Sequence, residues 1–156
     1  MRPTVHASCV LVGAAGVLLR GASGGGKSRL GDELVSQAAL WGLFARHVAD
    51  DRVILTCHAG RLCAEVPPPI AGRWERRGEG VARVEHEPRA VVRLIVDLRA
   101  GADIDRFPEA AARTERLCGV SVPRLELPHE DIPLAASRIL GHLLRGGDAS
   151  WSGSAV

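Results

Sequence analysis

Gly21-Ala22-Ser23-Gly24-Gly25-Gly26-Lys27-Ser28 fits the pattern G-x-x-x-x-G-K-[ST], whose backbone amides, lysine and hydroxyl converge on nucleotide phosphates. The glycines free the backbone to turn its N–H groups toward phosphate oxygens at a helix N-terminus. In that setting Lys27 reaches the outer phosphates and the Ser28 hydroxyl holds Mg2+. A second pair with chemical capacity, Asp50-Asp51, interrupts the apolar stretch from His47 to Leu55. Two simply buried acids are costly, whereas a phosphate–Mg2+ site beside them gives them partners. Neighbours in an extended segment face opposite ways, so the two need different roles unless the strand bends there. The plainer reading makes them the polar tip of a turn. Asp97, at the end of Ala90–Leu98, resembles the acid that closes a Walker-B strand and rivals them for the metal. Cys57-His58 and Cys63 offer ligand types without paired C-x-x-C spacing, and buried thiols around a turn account for them more simply.

The elements that must position these groups are legible in outline. Val17-Leu18-Leu19 leads into the phosphate loop as a strand, and Val5 to Val12, turning at Gly13–Gly16, predicts a hairpin partner for it. Leu30, Leu34, Val35, Ala38 and Trp41 recur at helical spacing, so a helix starts near Lys27 and weakens at Trp41-Gly42. Pro67-Pro68-Pro69 ends a strand or forms a stiff extended connection, and the charged stretch Gly72–Val81 reads as a solvated loop. Ala90–Leu98, nearly all apolar and branched, is the predicted central strand. Beyond it lie a predicted short helix over about 109–117, a strand from Val120 to Leu127 and a loop at Pro128–Asp131. A last helix then carries Leu134, Ile139, Leu140, Leu143 and Leu144, stopped by Gly146-Gly147. The expected architecture is an α/β P-loop domain over residues 1–145, a central mixed β-sheet with flanking helices, and a flexible tail over 146–156 in which Trp151 has no assigned dock.

Composition narrows the function classes. The 156 residues fit one domain, and 46% apolar content supplies a core built mostly from Ala, Val and Leu. A formal charge of +2 with 24% charged residues gives no nucleic-acid footprint. No signal-peptide pattern or 18-residue apolar run occurs, so a soluble cytoplasmic protein without a membrane anchor is expected.

Taken together, four separated stretches make the chain resemble the catalytic domain of HPr kinase/phosphorylase, a bacterial enzyme that phosphorylates a serine of the phosphocarrier HPr. They are Val5-His6-Ala7 with Gly16–Leu19, the phosphate loop, Val48-Ala49-Asp50-Asp51-Arg52-Val53, and Glu75-Arg76-Arg77-Gly78-Glu79-Gly80. A fainter match follows at Asp105-Arg106-Phe107 and Leu117–Pro123. The resemblance implies ATP and Mg2+ as cofactors, HPr or a relative as partner, and a homo-oligomer, in the family a hexamer. It makes His6 the active-site histidine and Asp51, with Asp50 beside it, the proton acceptor. It makes Lys27 the phosphate-binding lysine, Ser28 and Glu75 the Mg2+ ligands, and Arg106 a later catalytic arginine. These roles agree with elementary chemistry, because serine is a poor nucleophile until a carboxylate can take its proton. Lys27, Arg106 and Arg77 offer charge to offset the transferring phosphoryl group.

The chain also departs from the family pattern. Arg29 stands where an acidic residue is usual, and Trp74 where an aliphatic one is. Pro128-His129-Glu130-Asp131-Ile132-Pro133 lacks the arginines and glycine associated with phosphorolysis, so the kinase direction is better supported than the reverse. The match starts almost at Met1, so the chain resembles the short, catalytic-domain-only form. Two other readings remain: a small-molecule P-loop kinase using Asp97 on Mg2+, and a noncatalytic nucleotide-binding regulator. The sequence contains no asparagine, so the Asn-Lys-x-Asp guanine signal cannot occur, which counts against a GTPase.

Overall fold

The computed structural model describes residues 2–145. In chain order its strands are β1 (Val5–His6), β2 (Ser8–Val12), β3 (Ala15–Arg20), β4 (Ala45–Ala49), β5 (Arg52–His58), β6 (Arg61–Glu65), β7 (Arg73–Arg76), β8 (Gly80–Arg83), β9 (Arg89–Arg99), β10 (Thr114–Leu117) and β11 (Val120–Pro128). Helix α1 spans Lys27–Leu40 and α2 spans Ile132–Leu144.

The branched apolar run of β9 makes it the hub of a mixed sheet ordered β1-β5-β6-β9-β3-β2-β4. One edge of β9 pairs in parallel with β3; the other pairs antiparallel with β6 at its start and parallel with β11 at its end. Three parallel strands therefore finish at one end of the sheet, the end where α/β sheets bind ligands. The phosphate loop follows β3 there. Between Gly16 and Val17 the register on β9 slips by a residue, and a Cβ at Gly16 would lie 2.7 Å from the Val91 carbonyl oxygen, so only glycine permits this approach.

Alternation along the strands feeds two cores. Val17, Leu19, Leu94 and Val96 pack with Leu30 and Leu34 of α1 and Ile139 and Leu140 of α2, while Leu18 and Ile95 point the other way, toward Val53, Leu62 and Val122. The limits of α1, the central strand and the last helix form as the sequence predicts. The hairpin into β3 forms with a shorter first strand and a tighter turn than expected: only Ser8–Val12 pairs with β3, Ala15 and Gly16 already belong to β3, and Val5–His6 pairs with β5 instead. Asp131 caps α2 by accepting the Leu134 N–H at 3.1 Å.

Three local readings need correction. The stretch 72–81 is not a solvated loop: β7 and β8 form a hairpin because Trp74, 1% exposed, buries its ring against α1 while its charged neighbours stay in solvent. The segment 109–117 is not an α-helix. A 3-10 turn over Ala110–Arg113 gives way to β10, which pairs with β11 through Cys118-Gly119, both at positive φ as a two-residue hairpin turn requires. Nor are all the thiols buried. Cys9 is, and burial pushes its pKa up to about 12, but Cys57 is exposed and Cys63 half-buried on the β5–β6 hairpin. Pro67-Pro68-Pro69 ends β6 and enters a 3-10 turn at Pro68–Ile70. Gly146-Gly147, Trp151 and the rest of the tail lie outside the described residues. Among the described residues no helix is long and apolar enough to cross a membrane.

Candidate active site

The loop between β3 and α1 turns on left-handed backbone at Gly24 (φ 74°) and Gly26 (φ 98°). Gly26 opens α1 with no side-chain cap, and no acid stands in the first helical turn, so the first amides keep their capacity for an anion. Lys27 is nearly buried, its Nζ donating to the carbonyls of Gly21 at 3.1 Å and Ala22 at 3.3 Å. Gly21, Ala22 and Lys27 thus clasp the loop, and Ser23 to Ser28 line a cleft of about 800 Å³.

Asp50 and Asp51 sit where β4 breaks before β5, and the bend gives them separate environments. Asp50 is buried, and its carboxylate accepts three neutral donors: Ser8 Oγ at 2.8 Å and Ser28 Oγ at 2.7 Å on Oδ1, and the Glu75 N–H at 2.8 Å on Oδ2. The Ser28 proton is thereby committed to Asp50, which leaves its lone pairs available on the loop side. Asp51 has φ 66° and an exposed side chain that lines the cleft, with His6 Nε2 at 2.7 Å from its Oδ1 and Arg52 Nε at 4.0 Å from its Oδ2. His6 arrives because β1 pairs with β5, setting His6 opposite Arg52. The expectation of different roles for the two acids therefore meets a bent chain that is also a turn between elements.

Glu75 is exposed on β7 and faces the same cleft. A guanidinium nitrogen of Arg77 lies 3.6 Å from where a Cβ on Gly24 would stand, which places this cation above the loop. The hairpin carrying both is fastened to α1. Trp74 Nε1 donates to the Ser28 carbonyl at 2.8 Å, and the Arg76 guanidinium makes two 3.0 Å bonds to Asp32. His47 Nε2 lies 2.9 Å from Asp32 Oδ1 and its ring stands edge-on to Trp74, with centroids 4.4 Å apart. Burial lowers the His47 pKa against the opposing pull of Asp32.

A hydroxyl and a carboxylate beside a phosphate-binding loop are hard oxygen donors of the kind Mg2+ takes together with substrate phosphates, so Ser28 and Glu75 fit that ion, with Asp50 holding Ser28 from behind. Among the described residues no group of three or more His, Cys, Asp or Glu forms a metal cage by itself, and Cys57, His58 and Cys63 do not gather into one.

Two sequence candidates lie elsewhere. Asp97 is not a metal acid: Arg20 bonds both its oxygens, at 2.7 and 2.8 Å, and Arg124 Nε bonds Oδ2 at 2.6 Å. Burial pushes its pKa up, and the two guanidiniums outweigh that and hold it below the usual carboxylate value. Arg106 lines a separate cleft of about 980 Å³ with Phe107, Arg138 and His142, not the phosphate-loop cleft. The segment after β9 that carries it is tied to β11 by Arg124 Nη1, which donates to the Ala112 carbonyl at 3.1 Å. The sequence reading missed Ser8 and His47, polar groups within apolar runs, and Asp32, one of two adjacent acids on the first helix; it noted Trp74 as a departure within a loop without assigning it an anchoring role.

The family model for the HPr Serine kinase C-terminal domain matches residues 1–140. The chain is 27% identical over 165 residues to an HPr kinase/phosphorylase of Mycoplasma mycoides subsp. mycoides SC, an alignment covering 94% of this chain and 47% of that protein. It is 29% identical over 140 residues to one from Lactobacillus acidophilus, covering 81% of this chain and 41% of the relative. The chain therefore spans about half the length, or less, of these curated relatives. The structure of the Hpr(Ser) kinase/phosphatase from Coxiella burnetii shares the fold, with a TM-score of 0.78 at 24% identity over 94% of this chain and 100% of that one.

Proposed function

The chain belongs to the HPr serine kinase C-terminal domain family, and on that premise we propose that it is an ATP- and Mg2+-dependent protein-serine kinase acting on HPr or a related protein. The observation that carries this reading is the division of labour between the adjacent acids: Asp50 secures the Ser28 hydroxyl, while Asp51 stands beside His6 and lines the cleft of the phosphate loop.

In the proposed reaction the loop amides and Lys27 bind the triphosphate, and Arg77 offsets charge on the transferring group. Ser28 and Glu75, with Asp50 behind, would hold Mg2+, which when bound would supply electrostatic stabilisation of the phosphates. Asp51 takes the proton from the acceptor serine as its Oγ forms a bond to the γ-phosphorus and the bond to the ADP oxygen breaks. His6 orients the Asp51 carboxylate through Oδ1 and leaves Oδ2 to the incoming hydroxyl. Arg106, in its own cleft, takes no part in this step. The direction proposed is phosphorylation, since Pro128–Pro133 offers His129 and Ile132 to the cleft and no arginine.

Incubation with ATP, Mg2+ and HPr followed by mass spectrometry tests the reading. Phosphoserine on HPr is expected. Efficient transfer to a small molecule with HPr left unmodified would overturn it.

A further inference from the structure

Ser8 is fully buried at the start of β2. Its Oγ donates to Asp50 Oδ1 at 2.8 Å and accepts the backbone N–H of Asp51 at 3.0 Å. A hydroxyl has a single proton and two lone pairs, so one small side chain ties the carboxylate of one acid to the main chain of the next. The Ala7 N–H donates to the Asp51 carbonyl at 3.2 Å, so successive residues of the segment that also carries His6 grip Asp51 on both sides of its Cα. That grip matters because Asp51 is held at φ 66°, a left-handed backbone conformation that non-glycine residues adopt only where the surroundings hold it.

We propose that Ser8 is a positioning residue for phosphoryl transfer: its hydroxyl locks the Asp51 backbone to Asp50 and thereby sets where the proposed base stands over the phosphate loop. The inference rests on the Asp51 reading given above. Asp50 keeps two donors without Ser8, from Ser28 and the Glu75 N–H, so the nucleotide side of the site stays assembled. The Asp51 N–H loses its bond, and the carboxylate beyond it loses its fixed origin. Misplacement of a reacting group by about 1 Å is enough to cost on the order of 100-fold in rate.

The test compares Ser8→Ala, Ser8→Cys and Ser8→Thr in the full chain, measuring kcat, the KM and Kd for ATP in Mg2+, and the melting temperature. Ser8→Ala is expected to lose roughly 10- to 100-fold in kcat with ATP KM and Kd within about threefold of wild type. Ser8→Thr, which keeps the hydroxyl, is expected to recover most of that loss. Should the alanine variant not fold, Ser8→Cys decides, since a thiol fills the space but is a weak donor and shows the same kcat loss. A folded alanine or cysteine variant with kcat within about threefold of wild type overturns the proposal. So does a parallel loss of kcat, ATP affinity and melting temperature that threonine fails to relieve, because that marks a purely structural residue. Asp51→Asn run alongside separates the two readings: full transfer by that variant sinks the base assignment itself, whereas an inactive Asp51→Asn beside an active Ser8→Ala sinks only the positioning role.

Discussion

Replacing Gly31 by alanine opposes two effects of known size and so tests how the β7–β8 hairpin is anchored. In an unencumbered helix interior Gly→Ala is stabilising by about 1 kcal/mol, since alanine restricts the unfolded chain and favours the helix. Gly31, however, is buried where α1 meets the Trp74 indole; an added Cβ would overlap Cζ2 of that ring, stand 3.0 Å from Cη2 and 3.3 Å from Val10 Cγ1. Overpacking of this kind costs roughly 1–3 kcal/mol, and the ring is not a free end that swings aside, because its Nε1 is bonded to the Ser28 carbonyl. Loss of that bond adds about 1 kcal/mol. The net is a destabilisation of roughly 1–3 kcal/mol, which for a domain of this size lowers the melting temperature by about 2–12 °C. The same displacement moves Glu75, whose N–H bonds Asp50, so kcat should fall with stability. Thermal denaturation of Gly31→Ala in wild-type and Trp74→Phe backgrounds is the assay, with a smaller penalty expected beside the smaller ring. A Gly31→Ala protein that melts above wild type would refute the argument, leaving only the helix-propensity effect.

Two further perturbations address other parts of the account. His47 and His142 both have pKa values lowered chiefly by burial, from an ordinary 6.5, with Arg145 adding to the effect at His142. Their folded forms resist protonation that the unfolded chain accepts, so the stability they carry is present above pH 6.5 and falls as pH drops toward the folded values. Urea denaturation at pH 7.5 and 5.5 should show that loss, and His142→Gln should reduce it; an identical pH difference in the variant would count against the assignment. Asp97→Asn leaves two guanidiniums with a poorer acceptor, so a loss of about 2–3 kcal/mol in stability is expected while Mg2+-dependent nucleotide binding persists. Abolition of that Mg2+ dependence without a stability change would restore Asp97 as the metal acid.

How much was legible depended on whether function was carried by spacing along the chain or by side-chain packing. The phosphate loop announced itself because its chemistry is local: glycine, lysine and hydroxyl must be consecutive to wrap one phosphate. The central strand and both helices followed from periodicity. Asp50-Asp51 signalled a site through the cost of burying two acids, but sequence could not say which acid turned inward, since that is fixed by Ser8, Ser28 and the Glu75 N–H converging from three separate elements. Trp74 was misread because the arginines and glutamates around it hide a single buried ring. The helix expected from the alanines at 110–112 lost to hairpin pairing set by Cys118-Gly119. Asp97 shared its sequence pattern with a Walker-B acid, and only the folded position of Arg20 and Arg124 distinguishes it.

The central claim is that Asp51 receives the serine proton, and single-turnover transfer by Asp51→Asn tests it most directly. With ATP affinity in Mg2+ within about threefold of wild type, the rate of phosphoserine formation on HPr should fall by roughly 100- to 10,000-fold, the range for loss of a general base. A variant that binds ATP normally and transfers at the wild-type rate would contradict the account.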